Sequence, residues 1–495
     1  MPGTTDSVLT AENLAYATRS SWLLFDVDLQ LANGECLVVL GLSGSGKSTL
    51  IRLLAGLENP TSGVVSKLRQ PGMVFQEPTL FDFDELTVAD NLALAGATEL
   101  DSLLTAVGLP RELLARRPGE LSVGQRRRVA IARALAARPG ALLYDEPTAG
   151  LDTRSARHIA ELIRRTATER GLASLLVTHD LELALHVGDR ICFLPSCGGA
   201  LIPLPVARPG LDLVSPEGVA ALGALRAAVD EASARPAPPP RNAVPRAGRG
   251  GTPAILAPFE AVGTAVVLLA GAFSVASAGA IRRRLVRLAP GAVSLACAGS
   301  LAIGLVVALQ SAAGLGRFEA AHLLPEVAAA SMVREVLPLL VGLLLAGRIG
   351  AAVSAEMGSY SLSGQVAALK LLGRDPAAYL AAPLLWAVAL VLPLATAAGL
   401  VAGVGGLIAG ASGVLGLKVS LVLGGIRSAL GLDDLALALG KSLVFGLAIA
   451  VASYRHGIAP KADPAELGEG ATRGVVEASL AVVLLDCLIT RLTHR

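Results

Sequence analysis

The stretch Gly41-Leu42-Ser43-Gly44-Ser45-Gly46-Lys47-Ser48-Thr49 decides how the rest of the chain is read. Its spaced glycines, followed by Gly-Lys and then Ser-Thr, form a phosphate-binding loop pattern. The apolar run Cys36-Leu37-Val38-Val39-Leu40 before it predicts a buried strand, and Leu50-Ile51-Arg52-Leu53-Leu54 after it predicts a helix. Strand, glycine turn and helix in that order aim backbone N–H groups and a helix N-terminus at one anion. Gly41, Gly44 and Gly46 permit the tight turn. Lys47 can reach the β- and γ-phosphates of a nucleotide, and Ser48 can ligate Mg²⁺. Gly41, Ser43, Gly44, Ser45, Gly46, Lys47, Ser48 and Thr49 are therefore candidate ATP contacts. A glycine-rich turn with an incidental lysine is the competing explanation, and the flanking strand and helix weigh against it.

Downstream segments add candidates of the same chemistry. Ala141-Leu142-Leu143-Tyr144-Asp145-Glu146 reads as an apolar strand ending in two carboxylates. Asp145 suits Mg²⁺, and Glu146 suits a base that polarises an attacking water. Alone, such a pair reads as solvated surface; beside a phosphate loop it does not. Leu121-Ser122-Val123-Gly124-Gln125 precedes a helix carrying Arg126, Arg127, Arg128 and Arg133. Ser122 and Gly124 at its start offer a second anion-binding terminus, although alone this is an ordinary helix cap. Gln76 follows Met73-Val74-Phe75 and is placed to sense Mg²⁺ or water. His179 ends the strand-like Ser174–Thr178, where a lone histidine is usually structural.

Of the 495 residues, 53% are hydrophobic and 17% charged, against about 25% charged in a typical soluble protein. The deficit is local. Residues 7–205 mix charged and apolar residues in the style of an α/β domain, whereas 206–253, with Arg235-Pro236-Ala237-Pro238-Pro239-Pro240, read as a linker. Residues 254–495 look membrane-embedded. Ala261–Ile281 and Gly291–Leu309 carry no charge, and Pro376–Leu417 is uncharged over 42 residues. That run suffices for one long span and a partial one, at about 20 residues per span. Glu326–Gly347, Leu435–Tyr454 and Ala478–Thr490 are apolar apart from Glu326, Arg334, Glu335, Lys441 and Asp486. The expectation is five to six membrane helices. Arg282, Arg283, Arg284, Arg287, Lys370 and Arg374 put their loops on the cytoplasmic side. The N-terminus shows no signal pattern, so the first domain is expected in the cytoplasm.

A net charge of +2 gives no argument for nucleic acid. The five scattered cysteines read as small apolar residues in a reducing compartment. Within the apolar half, Glu335, Arg348 and Glu356 are expected to pair with one another, face a cavity, or lie at the membrane surface. Gln365–Leu372 is a short amphipathic piece between spans, read as a helix lying against a cytoplasmic partner or as a simple loop.

Walker A, the Gln76 loop, the Leu121–Gln125 signature, Asp145-Glu146, Ala149-Gly150-Leu151-Asp152 and His179 resemble, in this order, the ATP-binding cassette (ABC) ATPases over residues 7–205. The resemblance implies an N-terminal α/β fold, ATP and Mg²⁺, and two cassettes pairing head to tail. Ser122 and Gly124 would then contact the γ-phosphate across the dimer, Gln125 and Asp152 would also be ATP-binding, and Gln76, Glu146 and His179 would serve hydrolysis. Tyr16 looks like the aromatic that stacks on adenine, with Trp22 as its rival. The 29-residue gap from Lys47 to Gln76 is short for the family and suggests a trimmed β-subdomain. Arg334-Glu335-Val336-Leu337-Pro338, Ala346–Ala351, Ala355–Gly358, Leu372–Pro376, Lys441–Gly446 and Gly468–Val476 resemble the MlaE-type lipid-transport permeases. Tyr360, Ala367 and Pro383-Leu384 depart from that family's pattern. This second resemblance implies an all-α polytopic permease domain over 254–495. It also implies a homodimer in the bacterial inner membrane, phospholipid or a related lipid as cargo, and a periplasmic MCE-domain partner. Another hydrophobic cargo, a sterol or organic toxicant, is the alternative.

Overall fold

The computed structural model describes residues 7–18, 21–67, 69–77, 86–196, 199–205, 215–234, 278–315, 324–413, 416–459 and 465–493. The chain divides into two compact units: Met1–Gly251 with Gly364–Arg374, and Thr252–Ser363 with Asp375–Arg495.

The first unit begins with β1 (Ser7–Ala17), β2 (Trp22–Ala32), β3 (Cys36–Leu40), α1 (Lys47–Ala55), β4 (Ser62–Lys67) and β5 (Gly72–Val74). There follow α2 (Val88–Leu94), α3 (Leu100–Ala106), α4 (Val123–Ala136), β6 (Ala141–Asp145), α5 (Thr153–Arg170), β7 (Ala173–Thr178), α6 (Leu181–Val187), β8 (Arg190–Phe193), β9 (Ile202–Leu204) and α7 (Pro216–Ala234). β1, β2 and β4 make a small antiparallel sheet in the order β2-β1-β4. The main sheet runs β5-β6-β7-β3-β8-β9, parallel except for the β8–β9 pair. β3, β6 and β7 are buried at every position, as parallel strands covered on both faces must be. Because β6, β7 and β3 are neighbours, their carboxyl ends lie side by side, where open α/β sheets bind ligands.

Part of the segment expected to be linker is instead folded. α7 places Leu225 and Ala232 in the hydrophobic core of the first unit, with Leu222 and Val229 packed against it. An apolar residue every three or four positions supplies one helical face, which suffices to bury this stretch despite its proline-rich flank. Residues 206–214 and 235–253 lie outside the described residues.

The second unit contains α8 (Ala278–Leu315), α9 (Leu324–Ser331) and α10 (Leu337–Leu362). The chain then enters the first unit through α11 (Gln365–Leu371) and returns for α12 (Ala382–Gly413), α13 (Val419–Ala429), α14 (Leu432–Ile458) and α15 (Ala465–Thr493). Four helices are long and apolar enough to cross a membrane among the described residues: Ala278–Ser311, Pro325–Leu362, Ala377–Gly413 and Leu432–Ile458. α15 is long too, but carries Glu477, Asp486 and Arg491. The expected first segment, Ala261–Ile281, falls mostly outside the described residues. Within Pro376–Leu417, a π-helical turn, Ala377–Ala381, runs into α12 as one helix with Pro393 inside it. At 1.5 Å per residue that helix is about 55 Å long. α12 lies against α8 through glycines. A Cβ on Gly304 would strike the Gly403 carbonyl, and one on Gly406 would strike that of Leu301. Small residues of this kind let membrane helices approach closely.

α11 tucks Gln365, Ala368 and Leu369 into the first unit. Ala368, Leu371 and Leu372 line a cavity of about 50 Å³ with Met73, Arg133 and Ala137. Gly364 and Gly373, at φ of 75° and 67°, turn the chain in and out.

Candidate functional site

The phosphate loop follows β3 and opens α1, as its sequence predicts. Gly44 and Gly46 have φ of 81° and 94°, a region L side chains rarely adopt. Lys47 Nζ donates to the carbonyls of Gly41 at 2.7 Å and Leu42 at 3.0 Å, and lies 3.9 Å from Glu146 Oε1. Burial pulls the Lys47 ammonium below its usual pKa, while Glu146 and then Asp145 oppose the shift. Ser45 is buried; Ser43 is exposed, and Ser48 and Thr49 are half-buried at the start of α1.

The end of β6 delivers the two acids. Ser48 Oγ donates to Asp145 Oδ1 at 3.1 Å. Burial pushes the Asp145 carboxyl above the ordinary carboxylate range, outweighing that hydrogen bond. A hydroxyl and a carboxylate so close are hard oxygen donors of the kind that fit Mg²⁺. Glu146 sits at φ 45°, a strained backbone for a non-glycine residue and the sort of strain that gathers at functional sites. Thr178 Oγ1 donates to Glu146 Oε2 at 3.0 Å, and His179 Nδ1 lies 2.9 Å from Glu146 Oε1. His179 is thus tied to the candidate base.

Gln76 is exposed, and among the described residues no hydrogen bond joins its side chain to Ser48 or Asp145. Its carbonyl is held by Arg127 at 2.6 Å. Ser122 caps α4 in a box with Gln125: Gln125 N–H donates to Ser122 Oγ, and Ser122 N–H to Gln125 Oε1. Asp152 caps α5 by accepting from Ser155 N–H at 2.9 Å, which lowers its carboxyl pKa. Gly124 faces Ser155 across a gap of 3.7 Å from an ideal Cβ. Signature and Asp152 loop are therefore neighbours, but no hydrogen bond joins Ser122 or Gly124 to the phosphate loop among the described residues. Tyr16 and Trp22 share one hairpin: Tyr16 pairs with Leu24, whose side chain touches Gly46, and Trp22 pairs with Ala17. The Tyr16 side chain meets Glu58, just past the carboxyl end of α1.

In the second unit, among the described residues, no ion pair joins Glu335, Arg348 and Glu356 to one another. Glu335 instead accepts from Lys441 Nζ at 2.6 Å and from Thr490 Oγ1 at 2.9 Å. Lys441, whose side chain is wholly buried, also meets Asp486 at 3.0 Å and Thr490 at 2.9 Å. Arg334 pairs with Asp434 at 2.6 Å. Glu356 accepts from Tyr360 Oη at 2.7 Å, with Arg287 at 3.8 Å. Arg348 is exposed and rests its guanidinium against Gly291. The reason is geometric. Glu335 belongs to a π-helical turn, Met332–Val336, which precedes α10, whereas Arg348 and Glu356 lie further along α10 itself. Lys441 and Asp486 are lone charges in their own apolar segments, and helix packing brings them to Glu335.

A fold with a phosphate loop at the switch edge of a parallel sheet, continuing into long apolar helices, defines a nucleotide-hydrolysing unit fused to a multi-pass membrane unit. Comparison with known proteins narrows this. Residues 24–149 match the ABC transporter family, and residues 281–492 match Permease MlaE. The aliphatic sulfonates import ATP-binding protein SsuB 1 of Rhizobium johnstonii is 39% identical over 205 residues, covering 38% of this chain and 74% of that protein. The protein of that name from Rhodococcus jostii is 40% identical over 220 residues, with 42% and 88% covered. A solved dimeric structure of the cassette MJ0796 bound to ADP and Pi is 30% identical, at a TM-score of 0.35, covering 39% of this chain and 96% of that one. The chain belongs to the ABC transporter family: an ABC ATPase joined to a permease domain of the MlaE type.

Proposed function

We propose that the protein is an ATP-driven transporter of phospholipid or a closely related lipid, working as a homodimer in the bacterial inner membrane with its ATPase unit in the cytoplasm. The observation that carries this reading is the Permease MlaE match over 281–492, on the same chain as a complete set of cassette motifs. The relatives named above are import ATP-binding proteins for sulfonates, and their cargo is a property of their own systems. A periplasmic MCE-domain protein is the partner this reading implies.

Each ATP would lie between the phosphate loop of one chain and the signature of the other. In support, Ser122 spends its hydrogen bonds within its own helix turn, and Leu42 and Val123, apolar residues of the two motifs, are exposed. In this scheme Lys47 exchanges its carbonyl partners for phosphate oxygens. Glu146 takes the proton of the attacking water, held in place by Thr178 and His179. Ser48 and Asp145 would hold Mg²⁺, which neutralises phosphate charge; Gln76 is the remaining candidate for that shell. Tyr16 is the proposed adenine platform. α11, seated in the first unit, is the element through which cassette movement reaches the permease.

The test is purification of the full chain in mild detergent, with lipid extraction and mass spectrometry, followed by ATPase assays in vesicles. Co-purifying phospholipid and phospholipid-stimulated hydrolysis are expected. A chain that retains no phospholipid and responds only to a sterol or an organic solvent would replace this cargo with the other hydrophobic class.

A further inference from the structure

Three consecutive arginines, Arg126, Arg127 and Arg128, open the second turn of α4, and they do not share a role. Arg128 donates to the Gly108 carbonyl at 2.8 Å near the protein surface. Arg127 is only 2% exposed. Its Nη1 donates to the carbonyls of Pro147 at 2.5 Å and Ala149 at 3.0 Å, and its Nη2 to the carbonyl of Gln76 at 2.6 Å. One planar fork therefore clamps two loops that are far apart in sequence. The first is the turn from Glu146 to Asp152. The second is the Gln76 loop. Its own helix begins with the signature, and Arg127 stands three residues beyond Gly124 and four beyond Val123, on the same helical face.

The three partners are all main-chain carbonyls, so the clamp fixes backbone position and not side-chain identity. The turn it grips is irregular and is anchored at its two ends. Glu146 is held at a positive φ and Gly150 at φ 72°; Glu146 N–H donates to Val177 O and Asp152 caps α5, while within the turn the backbone bonds are Ala149 N–H to Glu146 O and Leu151 N–H to Thr148 O. A guanidinium bonded to neutral carbonyls keeps its charge, and its rigid geometry suits two loops at once better than a lysine ammonium does.

We infer that Arg127 is a positioning residue that makes the signature, the Gln76 loop and the Glu146–Asp152 turn move as one body. Nucleotide bound at one site of the dimer then sets the signature that the same chain lends to the other site. This rests on the shared-site reading above.

The experiment uses the full chain in detergent, with Arg127→Met and Arg127→Lys. Wild type should hydrolyse ATP with a Hill coefficient above 1. Arg127→Met should bind a fluorescent ATP analogue within about twofold of wild type while kcat falls about 100-fold, the scale of a small misplacement at a catalytic centre. Its Hill coefficient should drop to 1. Arg127→Lys, which keeps charge and reach to one loop, should recover part of kcat. If Arg127→Met fails to fold, Arg127→Gln, which retains one amide donor, takes its place in the same assays. Unchanged kcat and Hill coefficient overturn the inference. So does parallel loss of affinity, kcat and unfolding temperature with no recovery in Arg127→Lys, because that is a purely structural arginine. The shared-site reading is tested separately by mixing Lys47→Ala chains with Ser122→Arg chains. Restored hydrolysis supports it, since one intact site forms in the mixed dimer, and no restoration overturns it. Restoration together with a wild-type Hill coefficient of 1 overturns the link through Arg127 and leaves the shared sites standing.

Discussion

The two units enclose charge in opposite ways. In the cassette, Lys47 is held by two carbonyls of its own loop and stands 3.9 Å from Glu146, with exposed residues beside it. Those partners can be exchanged for phosphate oxygens at little cost. In the membrane unit Lys441 is wholly enclosed by Glu335, Asp486, Thr490 and the Arg334 carbonyl. With no water to replace them, these partners cannot be exchanged without leaving a charge bare. One arrangement is built to change partners, the other to keep them. The difference follows from solvent access more than from residue type.

The sharpest way to break this contrast is at Glu146. Glu146→Gln keeps the size of the side chain but removes the base. Hydrolysis should fall at least about 10³-fold, within the usual range for general acid–base catalysis, while ATP affinity stays near wild type. Stopped hydrolysis with retained binding is read from phosphate release and nucleotide binding on one preparation. A Glu146→Gln chain that turns over normally means that another group activates water.

The next largest effect belongs to Lys441. Lys441→Met leaves Glu335 and Asp486 without their cation, and removing one partner of a buried pair costs about 3–5 kcal/mol. Thermal unfolding of the detergent-solubilised chain should report it. Adding Glu335→Gln and Asp486→Asn to Lys441→Met should return much of the loss, because both stranded charges are then gone. A triple variant no better than the single one would show that packing of the lysine stem, and not charge, is what matters there.

A subtler distinction lies in pH. Burial raises the Asp145 carboxyl above its unfolded value, which is about 3.9. A raised carboxyl favours the folded state fully below the unfolded pKa, and that contribution is lost as pH rises through the folded pKa. Without Mg²⁺, this group should therefore make the cassette less stable as pH climbs from about 4. Mg²⁺ with ATP should offset the loss, since a cation favours the ionised form. Asp145→Asn should flatten the slope and abolish the Mg²⁺-dependent gain in unfolding temperature. Chelation with EDTA should reproduce the flattened gain in wild type.

What was legible in the chain follows the same division. The phosphate loop, Asp145, Glu146 and His179 could be placed because each ends an apolar run, and a parallel sheet brings such ends to one edge. Local rules were enough. The partner of Lys441 was not legible, because Glu335 and Asp486 come from distant segments and only helix packing brings them together. α7 was hidden by its proline-rich flank, although its spacing of Leu222, Leu225, Val229 and Ala232 is helical. Arg127 could not be told from Arg126 and Arg128, since burial and not residue type separates them. Length alone left open how Pro376–Leu417 is divided, and Ala377–Gly413 folds as one helix.

The smallest predicted effect supplies the control for the whole contrast. Arg473 and Glu469 on α15 form an ion pair of 3.0 Å one helical turn apart, as tight in distance as Lys441 with Asp486. Their side chains are 70% and 71% exposed, whereas that of Lys441 is 0%. Water solvates each charge well whether or not the partner is present, so Glu469→Ala should cost no more than about 0.5 kcal/mol. The loss should shrink further in 1 M salt, where screening is strong, while the Lys441→Met deficit should be almost salt-independent. If the two variants destabilise the chain equally, distance and not solvent access governs these pairs, and the contrast between the exchangeable and the enclosed charge is wrong.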